Sequence, residues 1–319
     1  MKKLVIIDND GGVDDAWAIF TILQDPNIDV LALTCVFGNT DLDNVCQNNL
    51  RLVAQFNRTE IPVCKGAGMP LVPTANGSPL PDNFQYFHGR NGFGDVELES
   101  LPNIPTLCQE NAFVKLNTLV TKFKGQVTLV CLGPLTNIAL TMKMYPEFAA
   151  NIEAAYIMGG NYTAMGNSTK RPEFNIHIDP EAADIVFRGL GSKCTLLPWE
   201  TCRATKISLN WKINLEDACG PSMKFLHKIE APLISNKIAM GFDNFVSSDV
   251  LLAVIFLKEN SSIKDSVNHS LGVELAGKYT RGQLIVLDHL DDSDSLKVRI
   301  VRTACSEEYQ YLIGSLKNL

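Results

Sequence analysis

The 319-residue chain has no C-x-x-C pair and no histidine–cysteine cluster, which removes zinc sites of the finger or ribbon type. No apolar run approaches eighteen residues, so no transmembrane helix is expected. No basic run or Lys/Arg stripe is present, and 35 acidic residues outnumber 28 basic ones, which argues against nucleic acid as a partner. No internal repeat, low-complexity tract or linker-like shift in composition divides the chain, so residues 1–319 are read as one domain. The nine cysteines are scattered, and several sit in apolar runs, such as Cys35 in VLALTCVFG and Cys131 in VTLVCLG. They read as buried reduced thiols, which favours a reducing, cytoplasmic setting. The apolar run of the opening MKKLVIIDND is too short for a signal peptide, so sequons such as those at Asn57 and Asn260 are taken as coincidental.

What is there is an alternation of strand-like and helix-like segments. Leu4–Ile7, Val30–Val36, Ile61–Cys64, Val127–Leu132, Ala154–Met158 and Cys194–Leu197 are short apolar runs that read as buried strands. Between them, Asp14–Leu23, Leu42–Phe56, Glu110–Phe123, Pro134 to about Met144, and Asp179–Phe187 carry helical periodicity. Leu215–Leu257 reads as a helical region and Ser306–Leu316 as a last helix, while Pro70–Arg90 is irregular. Gly272–Ala276, Gln283–Leu287 and Lys297–Thr303 read as antiparallel strands. The expected fold is α/β: a mainly parallel open sheet flanked by helices, with a small antiparallel extension near the C-terminus.

In such a sheet, ligands bind beyond the carboxyl ends of the strands. The segment after the first strand, DNDGGVDDA, places Asp8, Asp10, Asp14 and Asp15 within eight residues. So many carboxylates repel one another unless a cation sits among them, and the two glycines let the chain turn back on itself. An all-oxygen set without histidine or cysteine selects Ca²⁺ or Mg²⁺. An acidic, capped turn without metal is the lesser alternative when the segment is taken alone. Other strand ends carry Asn39, the Leu132-Gly133 turn, Met158, and a loop with Asn167, Glu173, Phe174 and Asn175; Asp249 opens the apolar stretch Val250–Leu257.

DNDGGVDDA resembles the D-x-D-x-G-x-D-D signature of the inosine-uridine nucleoside hydrolase family. Phe37-Gly38-Asn39, Gly133-Pro134-Leu135-Thr136-Asn137, Met158-Gly159-Gly160, Glu173-Phe174-Asn175 and Asp179-Pro180-Glu181-Ala182 follow in the family's order and spacing, over roughly residues 4 to 260. The resemblance implies that family's fold and the hydrolysis of a ribonucleoside, a small-molecule substrate, to free base and ribose. It implies Ca²⁺ held by Asp10, Asp15, Asp249 and the carbonyl of Leu132, with Asp10 also the base that deprotonates the attacking water. Asp14, Asn39, Met158, Asn167, Glu173, Phe174 and Asn175 would bind the substrate, chiefly its ribose. A homodimer or homotetramer is the assembly the family suggests.

Three positions depart from the family. Ser248 stands where inosine-uridine enzymes carry a histidine that protonates the leaving base, and a serine hydroxyl is a poor acid at neutral pH. His88, in His88-Gly89-Arg90-Asn91-Gly92, resembles the family's loop histidine and becomes the expected acid, on a loop that closes over the substrate. Phe84, Tyr86, Phe87 and Phe245 are the expected aromatic contacts, giving purine or broad base preference. Arg90 replaces a common acid, and Leu132 a common threonine, the latter without consequence for a backbone ligand. Two alternatives stay open: a phosphatase with Asp8 as nucleophile, for which the later acids Asp291-Asp292 come too late in the chain, and a non-catalytic ribose- or calcium-binding protein.

Overall fold

The computed structural model describes residues 2–73, 80, 84–215, 219–288 and 297–318. Asp291-Asp292 and part of the 70–90 stretch lie outside them.

Eleven strands are described: β1 Lys3–Asn9, β2 Ile28–Cys35, β3 Val63–Lys65, β4 Val127–Cys131, β5 Ala154–Met158, β6 Cys194–Leu197, β7 Ile207–Ser208, β8 Asn244–Phe245, β9 Ile263–Val273, β10 Leu284–Val286 and β11 Lys297–Ala304. Nine form one sheet in the order β10-β9-β11-β6-β5-β4-β1-β2-β3, and β7 with β8 makes a separate ribbon. From β3 through β6 to β11 every pairing is parallel; β9 runs antiparallel to both β11 and β10. The antiparallel extension is therefore where it was expected. Its first strand, however, is Ile263–Val273 rather than Gly272–Ala276. That strand is half exposed and reads IKDSVNHSLGV, too polar to give a strand signal until β11 pairs with it.

The alternation of side chains along β1 splits the core in two. Val5 and Ile7 join one apolar cluster, with helices Val13–Leu23, Leu42–Gln55 and Ser248–Leu257; Ile6 joins another, with helices Ala112–Lys122, Thr136–Met144 and Pro180–Leu190. Covered on both faces, the inner strands are buried beyond their first residues, which is why they read as continuous apolar runs rather than as alternating ones. The stretch Leu215–Leu257 resolves into helices Pro221–Ala239 and Ser248–Leu257 with β8 between them. Among the described residues no helix is long and apolar enough to cross a membrane.

Strand order reverses at β1, whose neighbours are β2 on one side and β4 on the other. The chain segments leaving β1 and β4 therefore part at their carboxyl ends and open a crevice. Asp8, the eighth residue, lies in register with Thr34 and Cys131, so the DNDGGVDDA turn begins at the mouth of that crevice.

Candidate active site

Asp8 anchors the site without entering it. Its Oδ1 accepts hydrogen bonds from Thr34 Oγ1 (2.5 Å) and Asn137 Nδ2 (2.7 Å), and burial pushes its carboxyl up to about 7. Asn137 also donates to the Cys35 carbonyl and accepts from the Ala67 amide, so the asparagine of Gly133–Asn137 ties three loops together. Asp179 does the same elsewhere: it caps helix Pro180–Leu190 and accepts from Thr136 Oγ1 and the Leu71 amide.

Asp10 lies just beyond β1, fully buried. Asn39 grips both of its oxygens, through its backbone amide to Oδ2 (2.8 Å) and its Nδ2 to Oδ1 (2.9 Å). A Cβ on Gly38 would collide with Asp10 Oδ2, and one on Gly133 would sit 2.9 Å from Asp10 Cγ; both motif glycines exist to let the backbone close on this carboxylate. Asp15, in the first turn of helix Val13–Leu23, accepts from the amides of Gly12 (2.9 Å) and Asp10 (3.2 Å) and from Asn39 Nδ2 (3.2 Å). Asp249 comes from the first turn of helix Ser248–Leu257, which packs across helix Val13–Leu23.

One carboxylate oxygen each from Asp14, Asp15 and Asp249 falls within 4.8 Å of the others. The sequence expected Asp10 in this set and Asp14 on the sugar; the structure brings Asp14 into the set and places Asp10 beside it. Burial, then the neighbouring carboxylates, pushes Asp249 and Asp10 well above the ordinary aspartate range and Asp15 to about 7. Such a cluster must hold protons or a cation, and its donors are all hard oxygens, as Ca²⁺ or Mg²⁺ requires. The residues present therefore fit the expected ion.

The second wall comes from residues after β5. Glu173 caps the short helix Phe174–Ile178: its Oε1 accepts from the Asn175 amide, and its Oε2 from the amides of Gly160 (2.7 Å) and Ile176 (3.2 Å). Burial holds it up at about 7 against these bonds. Asn175 Nδ2 donates to the carbonyls of Leu132 (2.7 Å) and Met158 (3.1 Å), and touches the Met158 sulfur. This hydrogen bond brings the Leu132 carbonyl and Asn175 together. Asn167 is exposed, its Oδ1 accepting from the Phe174 amide, while Phe174 packs near Phe84.

On the other side of Asp14 lies a cleft lined by Val13, Asp14, Phe87, His88, Glu230, Leu233, Lys237, Phe245, Val246 and Ser247. His88 is buried here. Its Nδ1 accepts from the Val13 amide (3.2 Å), which puts the proton of the neutral ring on Nε2, 3.3 Å from Asp14 Oδ1. Burial pulls its pKa down, against the pull of Asp14. The segment around it is pinned: the His88 carbonyl accepts from Gly94 N, Arg90 O from Thr40 Oγ1, and Asn91 O from Asn48 Nδ2. Phe87 and Phe245 line the cleft; Phe84 and Tyr86 meet edge to face, and the Arg90 guanidinium lies over Tyr86. Ser248 is buried beside Asp249 at the helix start. Sequence reasoning missed Lys237, Glu230 and Leu233, which reach the cleft from a long helix whose cleft-facing side carries no motif.

The profile of the family described as "Inosine-uridine preferring nucleoside hydrolase" matches residues 5–310, and the chain belongs to that family. Among its relatives, Uridine nucleosidase 1 of Arabidopsis thaliana is 35% identical over 228 residues, 70% of this chain and 64% of that protein. A probable uridine nucleosidase 1 of rice is 39% identical over 188 residues, 58% of this chain and 55% of its own length. The aligned region thus spans less than two thirds of these plant relatives. The non-specific ribonucleoside hydrolase RihC of Salmonella paratyphi B is 32% identical over 282 residues, 88% of this chain and 87% of that one. Among solved structures, a plant nucleoside hydrolase, PpNRh1, superimposes with a TM-score of 0.88 at 28% identity, covering 99% of both chains. A purine-preferring ribonucleoside hydrolase from Gardnerella vaginalis gives 0.85 at 26% identity, again over 99% of each.

Proposed function

We propose that this protein hydrolyses the N-glycosidic bond of ribonucleosides, releasing free base and ribose. The observation that carries the reading is the meeting of Asp14, Asp15 and Asp249 beside Asp10, at the point where the sheet order reverses. Asp15 and Asp249, flanked by Asp10, Asp14 and the Leu132 carbonyl, are the residues that would hold Ca²⁺. When bound there, the ion supplies a lowered water pKa and a grip on the ribose hydroxyls.

Asp10 takes the proton of the attacking water, its orientation fixed by the two hydrogen bonds from Asn39. The bond pair of the glycosidic bond leaves with the base, and the ribose passes through a cation-like state. Asp14, Glu173, Asn175 and Asn167 surround the sugar. The negative charge on this wall stabilises the positive charge that develops on the ribose. Met158 and Phe174 supply apolar contact to it, and Asn39 shares in holding the water.

His88 is the proposed proton donor to the departing base. A specific observation favours a second role: its only proton in the neutral state faces Asp14, so the ring also fixes the Asp14 carboxylate. Base preference is proposed as broad with a lean to purines, since the cleft offers Phe87 and Phe245 for stacking. Assembly as a homodimer or homotetramer belongs to the same proposal and is read by light scattering.

The test is ribose release from a panel of purine and pyrimidine ribonucleosides, with and without a chelator. Activity abolished by chelator and restored by Ca²⁺ is expected. Phosphatase activity on p-nitrophenyl phosphate without any ribose release would replace this reading with the Asp8-nucleophile alternative. Calcium or ribose binding with neither activity would point to a binding protein.

A further inference from the structure

Departure of a nucleobase leaves negative charge on the base, and the cleft beside Asp14 must answer it. The side chains lining that cleft divide sharply. Asp14 belongs to the carboxylate cluster. Glu230 is engaged by the buried Lys212 ammonium at 2.9 Å. His88 accepts from the Val13 amide and turns its other nitrogen to Asp14.

Lys237 is different. It lies in the last turn of helix Pro221–Ala239, half-buried in the cleft wall. Its ammonium stands 5.8 Å from the Phe245 ring centre and 5.6 Å from that of Phe242, and among the described residues it makes no ion pair or hydrogen bond. It is thus a cation in a partly apolar wall whose hydrogen-bonding capacity is unspent. Gly94 locks the helix to the pinned segment, since a Cβ there would strike the Ile229 carbonyl and Pro232; the cleft face is held against His88 and Asp14.

Resting on the hydrolase reading, we propose that Lys237 is the group that receives the leaving base, donating a charge-assisted hydrogen bond to an exocyclic oxygen such as that of hypoxanthine or uracil. The water oxygen bonds to the anomeric carbon and its proton goes to Asp10, the glycosidic bond breaks with its electron pair on the base, and the Lys237 ammonium stabilises the charge on the exocyclic oxygen while the base takes up its proton from His88. Burial lowers the Lys237 pKa, and the Glu230 carboxylate opposes that shift.

The test compares Lys237→Met and Lys237→Arg with the wild type on inosine, uridine and 4-nitrophenyl riboside, whose leaving group needs no help. Lys237→Met is expected to lower kcat on both nucleosides by about 10–100-fold, the size of one charge-assisted hydrogen bond. It should change the nitrophenyl substrate by less than about threefold, and Lys237→Arg should keep most of the nucleoside rate. Equal losses on all three substrates, or no loss on the nucleosides, overturn the assignment. Melting curves accompany each variant; if Lys237→Met is unfolded, Lys237→Gln takes its place under the same criteria. A wild type that releases no ribose from any nucleoside sinks the hydrolase reading itself. An active wild type with indifferent Lys237 variants sinks only this inference.

Discussion

The two sides of Asp14 are built differently. On the sugar side, nearly every functional atom is fixed by backbone: Asp15 by two amides, Glu173 by three, Asn175 by two carbonyls, and Asp10 by the Asn39 amide as well as its side chain. On the base side, contacts come from side chains with few restraints. Phe87 is 63% exposed, the Lys237 ammonium stands over the Phe242 and Phe245 rings, and the neighbouring Phe242 and Met240 are exposed as well. On the proposed function, backbone anchoring preorganises what every ribonucleoside shares, the sugar and the attacking water. Loosely held side chains adapt to what differs, the base.

The largest expected effect sharpens the comparison on the sugar side. A site built to bond two ribose hydroxyls rejects the absence of one, so deoxyinosine should lose about 10⁴–10⁵ in kcat/KM against inosine. Comparable rates would remove the proposed clamp. Asp10→Asn comes next, with about 10²–10⁴ lost in kcat and the fold retained, because a base and a negative charge vanish while Asn39 keeps a partner. Its loss should be similar for every base, which steady-state assays on inosine and uridine would read; a loss confined to one base would break the division.

His88→Ala separates the two roles of the histidine. A loss of about 10²–10⁴ on nucleosides, sparing 4-nitrophenyl riboside, makes it a proton donor and a base-side residue. An equal loss on both makes it the holder of Asp14. Glu173→Gln places an amide nitrogen opposite backbone N–H groups that now donate to carboxylate oxygen, so thermal melting should show about 1–3 kcal/mol lost along with activity. An unchanged melting temperature would mean that the cap is unimportant.

The smallest effect concerns Asp8, which stands behind both sides. Burial holds its folded pKa at about 7, against an ordinary value near 3.8. The folded state therefore binds the proton more tightly across about pH 4–7, and stability from this group is lost as pH rises through 7. Asp8→Asn mimics the protonated form, so its melting temperature should gain on the wild type by a few degrees between pH 5 and pH 8 in chelator. Parallel curves would show that Asp8 is ionised throughout.

How much of this was legible in the sequence follows the same division. The parallel strands were visible because burial on both faces makes them uniformly apolar, and β9 was not, because its polar side chains face solvent. The residues proposed to bind the sugar stood out in the sequence because they sit in short motifs at strand ends. Even there, Asn137 and Asp179 proved to be scaffold: one ties loops behind Asp8, and the other caps a helix. Whether Asp10 or Asp14 joins the carboxylate set depends on side-chain direction in one tight turn, which spacing does not encode. The segment around His88 reads as mobile from Gly89 and Gly92, yet hydrogen bonds from Thr40, Asn48 and Gly94 hold it. Lys237 was invisible, because only the tertiary placement of helix Pro221–Ala239 brings it to the cleft.

The most direct measurement is ribose release from inosine and uridine by chelator-stripped protein, titrated with Ca²⁺ and run beside Asp10→Asn. The account predicts no release before the titration, saturable release during it, and at least a hundredfold less with the variant. Full activity in the stripped protein, or an Asp10→Asn variant as fast as the wild type, would contradict it.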